Sequence, residues 1–462
     1  MGDSLNTVPA HWKTKKLVEL TETNNISYGV VQPGQHDPDG VPIIRVNNFS
    51  ANGVDTSEVL KVSPDVAEKY KKTRLIENDV LLTLVGSTGL TYVVNKAHEG
   101  WNVPRAVGVI RPVKTINPHW LKICLDSSFT KHFLDSRANT TVQKTLNLSD
   151  VKQIPIPIPP DHEREFIESV VLSLNGRISK NIEINRTLEQ IVKALFKSWF
   201  VDFDPVIDNA IAAGNDIPQA LKHRVEQRKQ ARQLPDFKPL PDDIRVLFPS
   251  EFEQTGEPIV GFDGWIPKGW KASNIGSSFD VTMGQSPPGS TYNEIGEGIA
   301  FYQGRADFGF RYPKNRVYCT APKRLANKFD TLVSVRAPVG DANMAKENCA
   351  IGRGVAAVRH QSGAISFTYY SIQNLSHYFE RYEGEGTVFG SINQKDFKNL
   401  PYVAPDDLVI SKFEAISSSM DEKVDLNSKN LVELEKLRDN LLPKLISGEL
   451  GIRKQHKEMV SG

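Results

Sequence analysis

The sequence predicts an α+β protein made of two repeated β-rich domains, each followed by a long helix, with the two helices pairing as an antiparallel coiled coil in a pseudo-two-fold arrangement. Two observations support this fold class. Blocks of the first half of the chain recur in the same order in the second half. In addition, two long segments carry apolar residues at alternating spacings of three and four, the pattern of a helix that packs along one stripe.

The repeat is collinear over the whole chain. Pro9-Ala-His-Trp12 matches Pro267-Lys-Gly-Trp270, and TVQKTLNLSDVKQIP at 141–155 matches TVFGSINQKDFKNLP at 387–401 without a gap. The offset between matching blocks drifts only from 258 to 246 residues. Because a chance resemblance would not stay in order over this length, we interpret the chain as a duplication.

Each half reads as short strands that alternate apolar and polar residues, as at 80–85 and 331–335, with Gly, Pro and Asn between them. Each helix follows a proline-rich exit, IPIPIPPD or LPYVAPDD, whose aspartate is a plausible N-cap. We expect the helices to span 161–200 and 407–447. The predicted segments are 1–160 (first domain), 161–200 (first helix), 201–264 (connector with a short helix at 218–234), 265–405 (second domain), 406–450 (second helix) and 451–462 (tail).

The two long segments keep the coiled-coil spacing over about five heptads. The seam of the first is predicted as Ile167, Val171, Leu174, Ile178, Asn181, Asn185, Leu188, Val192, Leu195 and Trp199. The seam of the second is predicted as Phe413, Ser417, Met420, Val424, Asn427, Leu431, Leu434, Arg438, Leu441 and Leu445. Asn181 and Asn427 share a repeat position. The alternative is two amphipathic helices that pack separately on their own domains.

Composition describes an ordinary globular protein without obvious targeting signals. The net charge of +1 conceals an asymmetry, since 1–160 carries +3, 161–264 carries −5, 265–405 carries +5 and 406–462 carries −2. Basic domains permit a polyanionic partner without proving one. Three scattered cysteines, Cys124, Cys319 and Cys349, suit a reducing cytoplasm and read as packing residues. The start of the chain lacks the pattern of a secretory signal, and no stretch is long and apolar enough for a membrane span.

Catalytic and metal-binding motifs are missing from the sequence. It has no phosphate-binding loop of the GxxxxGK[ST] type, no HExxH and no spaced Cys/His set. Asp421-Glu-Lys423 has nuclease-like composition, but it falls inside a predicted helix rather than on a strand. We therefore expect a chain without an active site, and no cofactor or metal bound by it.

Side chains suited to reading nucleic acid recur at matching places. Arg45-Val-Asn-Asn48 follows one short strand, and Tyr302-Gln-Gly-Arg305 follows its counterpart. Arg reads guanine edges, while Asn and Gln read adenine. Nearby cations would contact phosphates, which position a protein on DNA. The candidate DNA-binding residues are Arg45, Asn47, Asn48, Lys71, Lys72, Arg74, Arg105, Gln143, Lys144, Gln303, Arg305, Arg311, Lys314, Arg316, Arg336 and Arg353. Ordinary surface loops are the alternative for each of them.

The sequence resembles a family, the specificity subunits (HsdS) of type I restriction–modification systems. The resemblance rests on LEQIVKALFKSWFVDFDP (188–205), LFPSEFEQTG (247–256) before IPKGW (266–270), the two proline-rich exits and LEKLRDNLLPKLISGEL (434–450). It implies two target recognition domains that each read one half of a split double-stranded DNA sequence. The two halves would be separated by a spacer whose length the helices set.

The resemblance also implies partners. Two methyltransferase subunits would bring S-adenosylmethionine, and restriction subunits would bring ATP-dependent cleavage with Mg²⁺; no membrane is implied. The candidate partner-binding residues are Lys197, Trp199, Phe200, Glu433, Lys436, Asp439 and Lys444. Two alternatives stay open at this stage: a structural or decoy protein that docks methyltransferase subunits without DNA, and an unrecognised nuclease or methyltransferase.

Overall fold

The computed structural model describes residues 8–50, 53–137, 145–258, 260–382 and 390–450. Two compact units emerge from the contacts. The first comprises Met1–Glu183 and Asn427–Gly462, and the second comprises Ile184–Leu426. Each unit therefore contains one β-rich region and a part of each long helix.

The first unit begins with short strands and ends in a long helix. Its strands are β1 (Lys13–Lys16), β2 (Ser27–Tyr28), β3 (Val41–Ile43), β4 (Phe49–Ser50), β5 (Gly53–Val54), β6 (Leu60–Val62), β7 (Val80–Thr83), β8 (Thr91–Val93), β9 (Val107–Ile110) and β10 (Pro155–Ile158). Its helices are α1 (Pro64–Lys69), α2 (Pro118–Asp126), α3 (Ser128–Asp135), α4 (Leu148–Lys152) and the start of α5 (Asp161–Phe196).

The second unit repeats this order after a helical connector. Its strands are β11 (Phe252–Gln254), β12 (Trp265–Pro267), β13 (Lys271–Asn274), β14 (Phe279–Met283), β15 (Tyr292–Asn293), β16 (Ile299–Tyr302), β17 (Tyr318–Cys319), β18 (Leu325–Ala326), β19 (Thr331–Val335), β20 (Val339–Met344), β21 (Cys349–Ile351), β22 (Val355–His360) and β23 (Pro401–Ala404). Its helices are α6 (Asp204–Ala213), α7 (Lys222–Arg232), α8 (Asp242–Arg245), α9 (Ile275–Ser278), α10 (Ile365–Asn374), α11 (Ser376–Phe379), α12 (Gln394–Lys398) and the start of α13 (Asp407–Ile446).

The duplication is visible in the sheets. Each unit has a four-stranded antiparallel sheet, in the order β2-β9-β7-β8 in the first and β14-β22-β19-β20 in the second. The strand after each of the repeated residues Trp12 and Trp270 also pairs antiparallel with the proline-rich exit, as β1 with β10 and β13 with β23. The sequence repeat therefore corresponds to a repeat of topology.

The central strands differ from the expected alternation of buried and exposed residues. Every residue of β7 and of β19 is buried. Two of the buried polar members have hydrogen-bonded hydroxyls: Thr83 donates to the Ser87 carbonyl at 2.6 Å, and Ser334 accepts from the Asp341 N–H at 3.0 Å. The buried Thr331 hydroxyl has no hydrogen-bond partner among the described residues. A sheet covered on both faces has no solvent side for polar residues to mark.

The long helices begin where the sequence predicts and end slightly earlier. Helix α5 ends at Phe196 instead of residue 200, followed by a π-helical turn over Lys197–Val201. Phe203 then adopts a left-handed backbone (φ 54°) and Pro205 opens α6, which stops the helix. Helix α13 continues through Pro443 to Ile446. A proline so near the C-terminus removes only one late hydrogen bond.

The two helices run antiparallel. In the first unit, Ile167 and Val171 of α5 share a core cluster with Leu442 and Leu445 of α13. In the second unit, late residues of α5 (Val192 and Phe196) share a core with early residues of α13 (Val409 and Phe413). The predicted antiparallel pairing is thus confirmed. The predicted seam residues are all buried or half-buried, and Asn427 is buried whereas Asn181 is half-buried.

A glutamate on each helix reaches the start of a domain helix at matching places. Glu414 of α13 accepts the Ile365, Ser366 and Phe367 N–H groups at the start of α10, at 2.9 to 3.1 Å. Its counterpart Glu168 of α5 accepts from Nδ2 of Asn117, the N-cap of α2, at 2.6 Å. The 246-residue offset that aligns the helices also aligns these two glutamates. Each domain is therefore held to its helix by the same device.

The connector is more helical than its prolines suggest. In place of one short helix at 218–234, it contains α6, α7 and α8. Arg224 of α7 is ion-paired with Asp204 of α6 (Nε–Oδ1 2.7 Å) and with Asp202 (3.1 Å). The basic run KHRVEQRKQAR at 222–232 thus uses part of its charge in ion pairs within the second unit.

Candidate nucleic-acid interface

In the second unit, Gln303 and Arg305 extend from the end of β16, and a buried aspartate holds their segment. Asp307 accepts the Gln303 N–H at 2.7 Å and a bond from Arg316 Nη2 at 2.6 Å. Its side chain is 4% exposed. Because these bonds fix the backbone, the Gln303 side chain is left exposed to solvent.

A glycine allows another strand end to approach Gln303. A Cβ at Gly354 would lie 2.3 Å from the Gln303 carbonyl oxygen, so only glycine fits there. Arg353 is exposed on the same turn, and the Gly354 carbonyl accepts the Val335 N–H at 2.9 Å, directly before exposed Arg336. The structure therefore brings Gln303, Arg336 and Arg353 to one edge of the second unit.

The other candidates on this segment have partners. Arg305 is ion-paired with Asp341 on the surface, where such a pair is weak enough to be exchanged for a ligand. Arg316 is paired with Asp307, whose hydrogen bond raises the pKa of this guanidinium. Lys314 is exposed, and its N–H donates to the Asp307 carbonyl at 2.8 Å. All three remain at the surface.

The prediction for Arg311 is wrong. This residue was predicted to contact phosphate, yet its side chain is 1% exposed. Its guanidinium lies over the ring of Tyr369 and is ion-paired with Asp421 of α13. A side chain that is covered by the protein's own core cannot reach DNA from this position, so Arg311 is not a direct DNA contact.

In the first unit, Arg45 follows β3 as Gln303 follows β16. The pairing around them also matches: Ile43 bridges Asn102 in parallel, as β16 pairs with β21 in parallel. Arg45 is half-buried and Asn47 is exposed. The predicted equivalence of these two segments is seen in the structure.

The prediction for Asn48 as a DNA-binding residue is also wrong. Its Oδ1 accepts the Arg45 N–H at 2.9 Å, and its Nδ2 donates to the carbonyls of Asp55 and Glu58 at 2.9 and 3.1 Å. The side chain is buried, and both its donor hydrogens and its acceptor are used within the loop. Asn48 therefore shapes the segment that carries Arg45 and Asn47, and it is not free to read a base.

The remaining candidates of the first unit that the structure describes are exposed or half-buried. Lys71 is exposed and paired with Glu68 at 2.9 Å, which lowers the pKa of that carboxyl. Lys72 and Arg105 are exposed, and Arg74 is half-buried. The Arg105 N–H donates to the Val30 carbonyl at 2.7 Å, which fixes its backbone. Gln143 and Lys144 lie outside the described residues.

Sequence reasoning missed the residues that build these segments. Asp307 was not singled out, although it is a carboxylate placed four residues after Gln303 and between two arginines. Short-range Asx side chains commonly bond to nearby backbone N–H groups, so this spacing was a usable signal. Glu189 and Asp421, the carboxylates that face Arg311, carried no signal, because their partner lies more than a hundred residues away.

The partner-binding candidates divide into two groups. Trp199 and Phe200 are buried in the core of the second unit, where both pack against Phe413, so they are corrected to packing residues. Lys197 is exposed and ion-paired with Asp202. Exposed positions of α13 hold the others: Glu433, Lys436, Asp439 and Lys444.

Other site types find little support in the described part of the chain. The three cysteines are buried, and burial raises the pKa of Cys124 well above its usual range and that of Cys349 to about 12. Thiols of that kind are poor nucleophiles. Across these residues no group of three His, Cys, Asp or Glu side chains could hold a metal ion. Nor does a helix there have the length and apolarity needed to cross a membrane.

The repeated scaffold defines a class of chain in which two β-rich regions are carried on paired helices, and comparisons with known proteins show which proteins it resembles. The family model of the type I restriction modification DNA specificity domain matches residues 9–193. A putative type I restriction enzyme specificity subunit, MjaX of Methanocaldococcus jannaschii, is 26% identical over 96% of this chain and 95% of its own. The HindI specificity subunit of Haemophilus influenzae is 26% identical over 74% and 80%.

A solved type I S subunit from M. genitalium covers 95% of this chain and 96% of its own, with 15% identity and a TM-score of 0.49. Over residues 9–193 the chain matches the type I DNA specificity domain, and along nearly its whole length it is similar to a type I restriction enzyme specificity subunit. This confirms the resemblance given by the sequence, and with it the prediction of a specificity subunit instead of an enzyme.

Proposed function

We propose that this chain directs a type I restriction–modification complex to a bipartite double-stranded DNA site, with each β-rich region reading one half. The observation that carries the proposal is the pair of equivalent segments on repeated scaffolds: Arg45 and Asn47 extend from one, Gln303 and Arg305 from the other. Different side chains on the same framework suit two different half-sites.

The side chains available match the chemistry of base edges. In the first unit, Arg45, Asn47 and Arg105 offer two guanidinium groups and an amide. In the second, Gln303, Arg336 and Arg353 offer an amide and two guanidinium groups at one edge. Arg pairs with guanine N7 and O6, and Asn or Gln pairs with adenine N7 and N6. The lysines Lys71, Lys72 and Lys314 would serve phosphates.

The proposal includes the partners that the catalysis requires. Two methyltransferase subunits supply S-adenosylmethionine chemistry, restriction subunits supply ATP- and Mg²⁺-dependent cleavage, and this chain binds no cofactor of its own. The complex works in the cytoplasm. Exposed apolar side chains on the long helices, such as Val432 and Leu437 of α13, support docking of a partner there.

A gel shift with a random-sequence duplex tests the proposal against its alternatives. The chain is mixed with the duplex alone and together with its methyltransferase subunit. We expect DNA binding that weakens steeply with salt, as expected for neutralised phosphates. A chain that binds the methyltransferase but no DNA in either mixture would be a decoy, and methylation or cleavage by the chain alone would make it an enzyme.

A further inference from the structure

Arg311 links the second recognition segment to both long helices. It lies between β16 and β17, in the segment 303–317 that also carries Gln303 and Arg316. Its Nη2 lies 3.1 Å from Asp421 Oδ1 on α13, and its Nε lies 3.7 Å from Glu189 Oε1 on α5. One side chain of the segment 303–317 thus meets a carboxylate from each helix.

The residues around this guanidinium are themselves held by hydrogen bonds. Tyr369 and Tyr370 of α10 line it: its carbon lies 4.1 Å from the Tyr369 ring centre, and Nη2 donates to the Tyr370 hydroxyl at 2.8 Å. The Tyr369 hydroxyl donates to Glu189 at 3.2 Å, and the Ser366 hydroxyl donates to Asp421. The Arg311 carbonyl also accepts the Met344 N–H at 2.9 Å. The site is therefore built around a planar cation.

Stability alone does not account for this arrangement. Arg311 Nε and Nη1 are buried and have no hydrogen-bond partner among the residues that the structure describes. Removing a charge from water is costly, and well-packed apolar residues often replace a buried ion pair without loss of stability. The burial of Arg311 therefore points to a role in positioning the segment that carries it.

The first unit shows that the repeated scaffold forms without such an arginine. When α2 and α10 are aligned at their N-cap residues, Asn117 and Ala364, Lys122 and Ile123 correspond to Tyr369 and Tyr370. The 246-residue offset of the long helices makes Asn175 of α5 the counterpart of Asp421. These three residues line an open cleft of about 320 Å³ in the first unit. The equivalent helices and sheet of the first unit therefore leave an open cleft at the place that Arg311 occupies in the second unit.

We infer that Arg311 is a positioning residue for the second half-site: it fixes the segment 303–317 on the paired helices, so that Gln303, Arg305 and Arg316 meet DNA in one geometry. This inference rests on the proposed function. It makes base reading at one half-site depend on a side chain that touches no DNA, and it makes that dependence specific to the second unit.

The test uses the full chain with its methyltransferase subunit, acting on genomic DNA, followed by sequencing of the methylated sites. Three variants are compared with wild type: Arg311→Met, Arg311→Lys and Asp421→Asn. The last gives α13 the residue type that α5 carries at Asn175, so it should fold even if Arg311→Met does not. Arg224→Met, which breaks a half-buried ion pair in the connector, is the matched control.

We expect Arg311→Met to reduce discrimination at one half-site by about tenfold or more, the range of a lost base contact, and to leave the other half-site within about twofold. Arg311→Lys and Asp421→Asn should relax the same half-site less, and Arg224→Met should relax neither. Equal relaxation of both half-sites, or unchanged discrimination in a folded Asp421→Asn variant, would overturn the inference. A wild-type motif that is not split would instead overturn the proposed function.

Discussion

Asn48 and Asp307 occupy corresponding places in the two units and act alike. Each is a buried side chain that follows a candidate reader by three or four residues. Each accepts the backbone N–H of that reader, Arg45 at 2.9 Å and Gln303 at 2.7 Å. Buried polar groups with satisfied hydrogen bonds fix a loop more tightly than exposed ones. The positions of the readers are thus set by Asx side chains that are hidden from the ligand.

At this scale, Arg353 and Lys314 should behave differently when replaced by alanine. Arg353 lies at the edge beside Gln303, so its loss should cost about 1–3 kcal/mol of binding to the specific site and relax one base position. Lys314 is exposed on the same segment, and its loss should weaken binding to all sequences alike and lower the salt slope by about one. Binding isotherms at several salt concentrations check this. If the two variants lose the same affinity for specific and random duplexes, the assignment is wrong.

His360 should make the protein less stable in mild acid. It is buried beside the Phe279 and Phe367 rings, and burial lowers its pKa, with Asp407 acting in the opposite direction. The unfolded chain then holds a proton that the folded chain does not. Stability contributed by the neutral ring is complete above the unfolded pKa of about 6.5 and is lost as the pH falls below it, by at most about 1.4 kcal/mol per pH unit.

Replacing His360 by Phe should therefore flatten the dependence of the free energy of unfolding between pH 7.5 and 5.5, whatever it does to the absolute value. Urea titrations at four pH values measure the slope. His98 and His119, whose pKa values burial also lowers, keep part of the slope in the variant. A variant with the wild-type slope would show that His360 is not linked to folding.

At the scale of elements, the two helix glutamates offer a matched comparison. Glu414 accepts three N–H groups at the start of α10, whereas Glu168 accepts one bond from Asn117 and has its pKa raised by desolvation. Glu414→Gln should lower the free energy of unfolding by about 1–2 kcal/mol, since a charged acceptor is lost at a helix start.

Glu168→Gln should cost less than about 0.5 kcal/mol at pH 7.5, because the folded state already disfavours its charge. Urea unfolding of both variants at that pH gives the comparison. A larger loss for Glu168→Gln than for Glu414→Gln would contradict this account of how the helices hold the two domains.

The outer face of α13 should bind a partner. Val432 and Leu437 are exposed there, and they flank the charged Glu433 and Lys436 in the sequence. Replacing both apolar residues by Asp should weaken association with the methyltransferase subunit about tenfold or more, while the thermal midpoint of the isolated chain stays unchanged. Leu434→Asp is the contrasting variant, because its half-buried seam position predicts a lower midpoint. Calorimetry of binding and of unfolding separates the two; unchanged binding would exclude this face.

The extent to which sequence predicts structure also differs by element. The helices α5 and α13 were predictable because a 3–4 repeat over about five heptads depends on local spacing alone. The repeat of sheets was predictable from collinear blocks. The burial of β7 and β19 on both faces was not, since a continuous apolar run does not say what covers it. The burial of Arg311 was invisible for the same reason, because it depends on α5, α10 and α13 meeting at one point.

At the scale of the whole molecule, the duplication gives one chain two candidate reading edges with different side chains. The first carries Arg45, Asn47 and Arg105, and the second carries Gln303, Arg336 and Arg353. Because each edge is built by the loops of its own unit, changes at one should leave the other intact. Independent reading of two half-sites is the central claim of this account.

Sequencing of methylated sites in cells that express the chain with its methyltransferase subunit tests that claim most directly. The wild-type motif should consist of two short specified parts around an unspecified spacer. A double substitution of Gln303 and Arg353 by Ala should relax one part only, and the same change at Arg45 and Arg105 should relax only the other. A continuous motif, or relaxation of both parts by either pair of substitutions, would contradict it.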